Sequence, residues 1–209
     1  MNRKILIATG NPHKLKMIGS IIDGYFDEVK NLHDLQNVAD VDEIGQTFKE
    51  IAEKKALHFT EYFDGYVIAT DSGMQMPHLE NWNPLFTKRF IQKEKATDFE
   101  RMDKLLELMK DKKGNQREMY WNEAIALAYK GKVLFSVQVK GAEGVMQETY
   151  DKNKYRKGIW LCSLWYFPQF GKNFFDLTPE ETAYAEISWG KLKEATRKFL
   201  HKYDFHSPT

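Results

Sequence analysis

The chain is poor in the features that would place it in a specialised class. It has one cysteine, Cys162, in 209 residues, which rules out an internal disulfide framework and suits a reducing compartment. Its 31 Lys and Arg against 30 Asp and Glu leave a formal net charge of +1, so there is no broad basic field of the kind that gathers nucleic acid polymers. No stretch approaches the roughly 20 apolar residues of a membrane span, and the N-terminus lacks the apolar core of a signal peptide. The six histidines show no metal-site spacing, and His13 reads as a solvated residue at a helix start. Internal repeats, low-complexity tracts and long linkers are missing. What remains is a chain of a length that suits one domain, with or without two lobes, and that buries a substantial core.

The residues present in the first third are more specific. Ile5-Leu6-Ile7-Ala8 is a buried strand that breaks into Thr9-Gly10-Asn11-Pro12-His13-Lys14. Asn11 suits an N-cap and Pro12 the first helical position, so the spacing predicts a helix whose first-turn amides face outward, where either an anion collects them or the turn is an ordinary capped helix start with a solvated lysine. Tyr66-Val67-Ile68-Ala69-Thr70 is a second apolar strand, read as ending in an Asp71-Ser72-Gly73 turn. Ligands of open α/β sheets sit at strand tips, so a carboxylate and a hydroxyl there suit a metal and its phosphate. The same three residues are also ordinary turn formers.

Between these segments, Thr47 and Glu50 read as a capping box ahead of Phe48, Ile51, Ala52, Ala56, Phe59 and Phe63 at helical spacing, with Lys55 the polar member of the set. Glu43 sits in the loop before the cap. It has no packing reason to be there, and either a second oxygen ligand for a divalent cation or a solvated loop acid fits it. Helical patterns recur at Pro12 to Ile22, Phe48 to Phe63, Phe99 to Met109 and Leu192 to Tyr203, and Thr178-Pro179-Glu180-Glu181 is a strong helix start. Ala124 to Tyr129 and Val133 to Val139 read as a hairpin across Lys130-Gly131-Lys132. The mixture predicts an α/β protein whose sheet is not wholly parallel. Gly141 to Gly158, rich in glycine, lysine and polar residues, is read as a mobile loop.

The order of these segments resembles the inosine triphosphate pyrophosphatases, enzymes that hydrolyse noncanonical purine nucleoside triphosphates such as XTP and dITP to monophosphate and pyrophosphate. The resemblance rests on Ala8-Thr9-Gly10-Asn11 with Lys14, on Glu43-x-Gly45-x-Thr47-Phe48-x-Glu50-x-Ala52 with Lys55-Ala56, and on Ile68-Ala69-x-Asp71-Ser72-Gly73. Weaker echoes run through Pro84, Arg89-Phe90, Leu105-Leu106, Tyr166 with Pro168 and Phe170, Gly171-Lys172 and Leu177-Thr178-Pro179-Glu180-Glu181. It implies a mixed central sheet flanked by helices, in two lobes enclosing a cleft. It also implies a magnesium-dependent, homodimeric, cytoplasmic enzyme acting on a nucleoside triphosphate.

Carried over residue by residue, the resemblance puts Thr9, Asn11 and Lys14 on the phosphates, with Gly10, Ser72, Tyr166, Phe167, Lys172 and Trp189 also on the substrate. Glu43 and Asp71 would hold the metal, Asp71 would also accept a proton from the attacking water, and Lys55 would neutralise developing charge. This chain departs from the family pattern where the base is read. Thr70 stands for the first of two aspartates, Phe167 for the acid that helps hold the base, Trp189-Gly190 for a histidine and arginine, Thr182 for a lysine and Ile51 for an asparagine. A polar site that loses its partners loses discrimination. The departures therefore predict altered base preference, with Trp165, Tyr166, Phe167 and Trp189 either a stacking surface or a core. An alternative is a nucleotide-binding relative with little turnover that works through partners.

Overall fold

The computed structural model describes residues 2–36, 38–39, 41, 44–86, 90–91, 95–157 and 159–205. Among them are strands β1 (Lys4–Ile7), β2 (Glu28–Asn31), β3 (Tyr66–Gln75), β4 (Glu118–Tyr129), β5 (Lys132–Met146), β6 (Trp165–Phe167) and β7 (Lys172–Asn173). The helices are α1 (Pro12–Ile22), α2 (Phe48–Phe59), α3 (Asp98–Leu108), α4 (Pro179–Ala185) and α5 (Ile187–Lys202). The strands form one sheet in the order β2-β1-β3-β4-β5-β6-β7. β1 runs parallel to β2 and β3, whereas β6 is antiparallel to β5 and β7. The sheet is thus mixed and the class α/β, as the sequence pattern predicts.

Local chemistry fixes most element starts. The Asn11 side chain accepts from the amides of His13 at 2.9 Å and Lys14 at 3.3 Å, with Pro12 at the first helical position. Thr47 Oγ1 accepts from Glu50 N, but Glu50 reaches the amide of Gln46 rather than that of Thr47, so the expected reciprocal box is shifted by one residue. α2 ends at Phe59, short of the expected Phe63, and the chain turns before Gly65. A Cβ on Gly65 would lie 2.8 Å from Lys4 O and 2.5 Å from the Phe63 ring, so this corner needs glycine to pass β1. α5 begins at Ile187, ahead of the expected Leu192. The β4–β5 turn is Lys130-Gly131, both at positive φ (46° and 75°), the two-residue geometry whose twist suits a hairpin.

Two expectations fail for one physical reason. Asp71-Ser72-Gly73 is no turn, because β3 continues through it to Gln75. Gly141 to Met146 is no loop, because it is the end of β5, with Gly141, Ala142, Gly144 and Met146 buried. A Cβ on Gly144 would lie 2.5 Å from Tyr166 O and 2.6 Å from Trp165 Nε1, and one on Gly141 would lie 3.1 Å from both Trp121 O and the Ser188 side chain. These glycines allow close approach inside a sheet, where pairing overrides the turn preference of the residue.

The chain divides into two compact units. The first holds residues 1–72, 123–139 and 189–209, the second residues 73–122 and 140–188. The core of the first gathers Ile5, Ile7, Ile18, Ile21, Ile68, Ile125, Leu127 and Leu192. The core of the second gathers Met74, Met102, Leu105, Met109, Met119, Leu164, Trp165 and Phe167. No helix among the described residues is long and apolar enough to cross a membrane.

Candidate functional site

The first unit carries a convergence of polar groups at the C-terminal end of β1. β1 pairs with β3 up to Ile7 opposite Ile68, and the Ala8 amide still donates to Ile68 O at 2.8 Å. Beyond that point β1 becomes the Thr9–Asn11 turn while β3 runs on to Asp71 and Ser72. A carboxylate and a hydroxyl thereby stand on a strand segment that has outrun its parallel neighbour, beside a turn that opens a helix.

Asp71 is held from α2. Lys55 Nζ lies 2.8 Å from Asp71 Oδ1, with side-chain exposures of 11% and 16%. Such a half-sheltered pair is attracted more strongly than an exposed one because water screens it less. α2 is itself tied to the sheet of this unit, since the Lys49 amide donates to Gln138 Oε1 at 3.1 Å and Ser136 Oγ donates to Glu53. The sequence treats Lys55 and Asp71 as two entries in one site, and the structure brings them into direct contact.

The Thr9–Lys14 turn is built differently from the sequence-based expectation. The amides of His13 and Lys14 are satisfied by Asn11 Oδ1, so they do not wait for an anion. What the turn offers is the Thr9 hydroxyl, which accepts from Asn11 N at 3.2 Å and keeps its own proton for another acceptor, together with the Lys14 ammonium. Gly10 is exposed, and a Cβ there would meet nothing within 4 Å, so the fold does not demand glycine. Its lack of a side chain lets a ligand approach the backbone closely.

Asp71 is the carboxylate of this site with an oxygen to give a divalent cation. Lys55 engages Asp71 Oδ1, which leaves Oδ2 for a second electrophile. Among the described residues no three His, Cys, Asp or Glu side chains cluster for a metal. Glu43, the other expected ligand, lies outside the described residues. One or two carboxylates completed by water and phosphate oxygens is the pattern a small hard cation accepts.

Trp189 also belongs to the first unit, but as an interior residue. It is 5% exposed, packs with Ile5, Ile7 and Leu192, and meets the exposed ring of His13 edge-on at 6.1 Å. Its expected role as an open stacking face is corrected accordingly, since the indole serves as core beneath the start of α1. Nothing in the sequence pattern pairs His13 with Trp189, because their contact spans almost the whole chain.

Tyr166, Phe167 and Lys172 lie in the second unit. Phe167 has no exposed surface, its ring enclosed by Trp165 at 4.6 Å, Tyr184 at 6.1 Å and Phe170 at 6.3 Å. Trp165 is likewise buried, so the core reading of these aromatics prevails over the stacking surface, and Tyr166 alone of the three keeps a partly open side chain. The Lys172 ammonium is held by both oxygens of Glu181 at 2.9 and 2.8 Å. That contact, and the Thr178 amide that Glu181 caps, hold the Glu181 carboxyl below the usual carboxylate range. Glu181 was legible as a helix cap and not as the partner of Lys172. Glu123, an acid 2% exposed in the first unit, was missed altogether although it immediately precedes the apolar run of β4.

The sequence model of the Ham1 family matches residues 5–188. The chain is 32% identical over 179 residues to a dITP/XTP pyrophosphatase of Thermoanaerobacter sp. strain X514, a match spanning 85% of this chain and 87% of that one. It is 27% identical over 186 residues to a dITP/XTP pyrophosphatase of Clostridium perfringens, covering 86% and 88%. Among solved structures, a HAM1 protein from Coxiella burnetii shares the fold with a TM-score of 0.78 at 23% identity, over 94% of this chain and 99% of that one. A nucleoside-triphosphatase (dITP/XTP pyrophosphatase) from Mycobacterium abscessus does so at 0.72 and 24% identity, over 91% and 97%.

Proposed function

We infer that this chain, which belongs to the Ham1 family, is a nucleoside triphosphate pyrophosphatase that cleaves its substrate to a nucleoside monophosphate and pyrophosphate. The observation that carries the reading is the Lys55–Asp71 contact at 2.8 Å, on the part of β3 that runs past the end of β1, the strand from which the Thr9–Lys14 turn leaves. Phosphoryl transfer asks mainly for positioning and charge stabilisation, and a carboxylate, two ammonium groups and a hydroxyl in one unit supply both. The relatives named as dITP/XTP pyrophosphatases support the same reaction class.

In this reading Thr9 donates its hydroxyl proton to a phosphate oxygen and Lys14 neutralises the triphosphate. Asp71 Oδ2 orients the attacking water and takes its proton, while Lys55 holds Oδ1 and so fixes the direction of the carboxylate. Asp71, with Glu43, would also hold magnesium, which when bound polarises the phosphoryl group. The protein acts as one domain of two lobes and as a homodimer in the cytoplasm, where the lone Cys162 stays reduced.

Base preference is altered in the same proposal. Phe167 is enclosed and Trp189 is core, so neither supplies the polar contact that an acid or a histidine would. A pyrophosphate-release assay with magnesium across purine and pyrimidine ribo- and deoxyribonucleoside triphosphates tests the reading. Turnover on several bases supports it. Nucleotide binding without turnover would favour the binding-protein alternative, and a hundredfold preference for ITP would end the altered-preference part.

A further inference from the structure

Successive side chains of a strand alternate between faces, so Tyr66, Ile68, Thr70 and Ser72 share one face of β3. Tyr66 and Ile68 point into the core of the first unit together with Ile125 and Leu127 of β4. By the same alternation Glu123 lies on the face of Ile125 and Leu127. β3 and β4 are neighbours in the sheet, and the Tyr66 and Tyr129 rings stack at 4.5 Å. At their other ends Met74 and Met119 fall in one cluster, so the two strands run antiparallel. Counting along both from Tyr66 and Tyr129 brings Ser72 opposite Glu123. The boundary of the first unit agrees, since it falls directly after Ser72 on β3 and directly before Glu123 on β4.

Three polar side chains therefore sit together at the end of an otherwise apolar face. Glu123 is 2% exposed and Thr70 is 3% exposed, and Thr70 Oγ1 has no hydrogen-bond partner among the described residues. Leaving a buried hydroxyl unpaired costs about 1–3 kcal/mol, and a buried carboxylate persists only where partners compensate its charge. Val would fill the Thr70 volume without the unpaired hydroxyl. A carboxylate only accepts hydrogen bonds, with room for about four, so it can serve the fold and a ligand at once. It repels phosphate, so the group it suits is an uncharged donor. Ile18, Ile21 and Ile22 of α1 pack in the same core as Ile68 and Ile125, so this polar row lies on the α1 side of the sheet, where the Thr9–Lys14 turn opens that helix, while Asp71 faces α2 from the opposite side.

We propose that Thr70, Ser72 and Glu123 form a nucleoside-reading site in which the Glu123 carboxylate accepts a hydrogen bond from a sugar hydroxyl or a base N–H. This rests on the nucleotide reading of the first unit given above. The product-like ligand inosine 5′-monophosphate offers both donors, its 2′,3′-dideoxy form lacks the sugar hydroxyls and its 1-methyl form lacks the base N–H.

Calorimetric binding of these three compounds, without metal, to the wild type, Glu123→Gln and Thr70→Val is the test. Loss of a charge-assisted contact weakens inosine monophosphate roughly tenfold to a hundredfold in Glu123→Gln. The compound that already lacks the relevant donor is expected to be nearly unaffected, and which compound that is tells the sugar from the base. Thr70→Val is expected to melt at the wild-type temperature or above while also binding inosine monophosphate more weakly, a combination that a purely structural hydroxyl would not give. Equal losses on all three compounds in Glu123→Gln, or unchanged affinity in both variants, would overturn the proposal alone. Failure of the wild type to bind any of the three would overturn it together with the nucleotide reading beneath it.

Discussion

Lys55 and Asp71 stand 16 residues apart in sequence and 2.8 Å apart in space, the lysine presented by α2 and the aspartate by a strand that continues past the end of its neighbour. Each group keeps the other in place. The carboxylate is thereby aimed by a cation that sits in the same sheltered position.

The first consequence concerns Asp71. Replacing it by Asn keeps its size and removes the charge and the base, so turnover is expected to fall by a factor of at least about a hundred. Circular dichroism and the melting temperature should stay near wild type. Near-normal turnover in Asp71→Asn would take this residue out of the mechanism.

Lys14 bears on affinity in a different way. An ammonium that meets phosphate positions every nucleotide alike, so Lys14→Ala should raise KM by a similar factor, roughly tenfold, for all bases. Kinetics on ITP, GTP and CTP measure this, and a strongly base-dependent effect would show that the turn has another job.

Two glycines should respond in opposite directions. Gly144→Ala forces a Cβ to 2.5 Å from Tyr166 O, backbone that cannot give way cheaply, and is expected to destabilise by about 1–3 kcal/mol. Gly190 lies within α5 and a Cβ there meets nothing within 4 Å, so Gly190→Ala should stabilise by about 0.5–1 kcal/mol through helix propensity. Urea unfolding of both variants checks the pair.

Cys162 gives a pH prediction. Burial pushes its thiol up to about 12, so the reactive thiolate is scarce across the neutral range. Because the folded-state value is raised, increasing the pH from 7 to 9 generates thiolate in unfolded chains and little in the native one. A thiol reagent should therefore label the native protein slowly at both pH values and rapidly once urea is added. Fast stoichiometric labelling of the native protein would contradict the buried environment.

The legible parts of the fold are those written in a few adjacent residues. Asn11-Pro12 fixes the start of α1, Thr178-Pro179 that of α4, and Lys130-Gly131 the hairpin, because capping and turn geometry are local. Asp71-Ser72-Gly73 and Gly141 to Gly144 misled for the converse reason. Their turn preference is worth less than the strand pairing imposed by residues far away in sequence. The motif residues of the first unit were readable, but the Lys55–Asp71 contact, the edge-on meeting of His13 and Trp189, and the burial of Glu123 all arise from packing between elements. The enclosure of Phe167 shows the same limit, since an aromatic residue in a sequence does not say whether its face is covered.

The most direct test of the central claim is a phosphorus NMR record of the products formed from inosine triphosphate and magnesium by the wild-type protein. A pyrophosphatase gives inosine monophosphate and pyrophosphate in equal amounts, with no build-up of nucleoside diphosphate or orthophosphate. Nucleoside diphosphate with orthophosphate, or triphosphate that stays intact across every base tried, would contradict the claim.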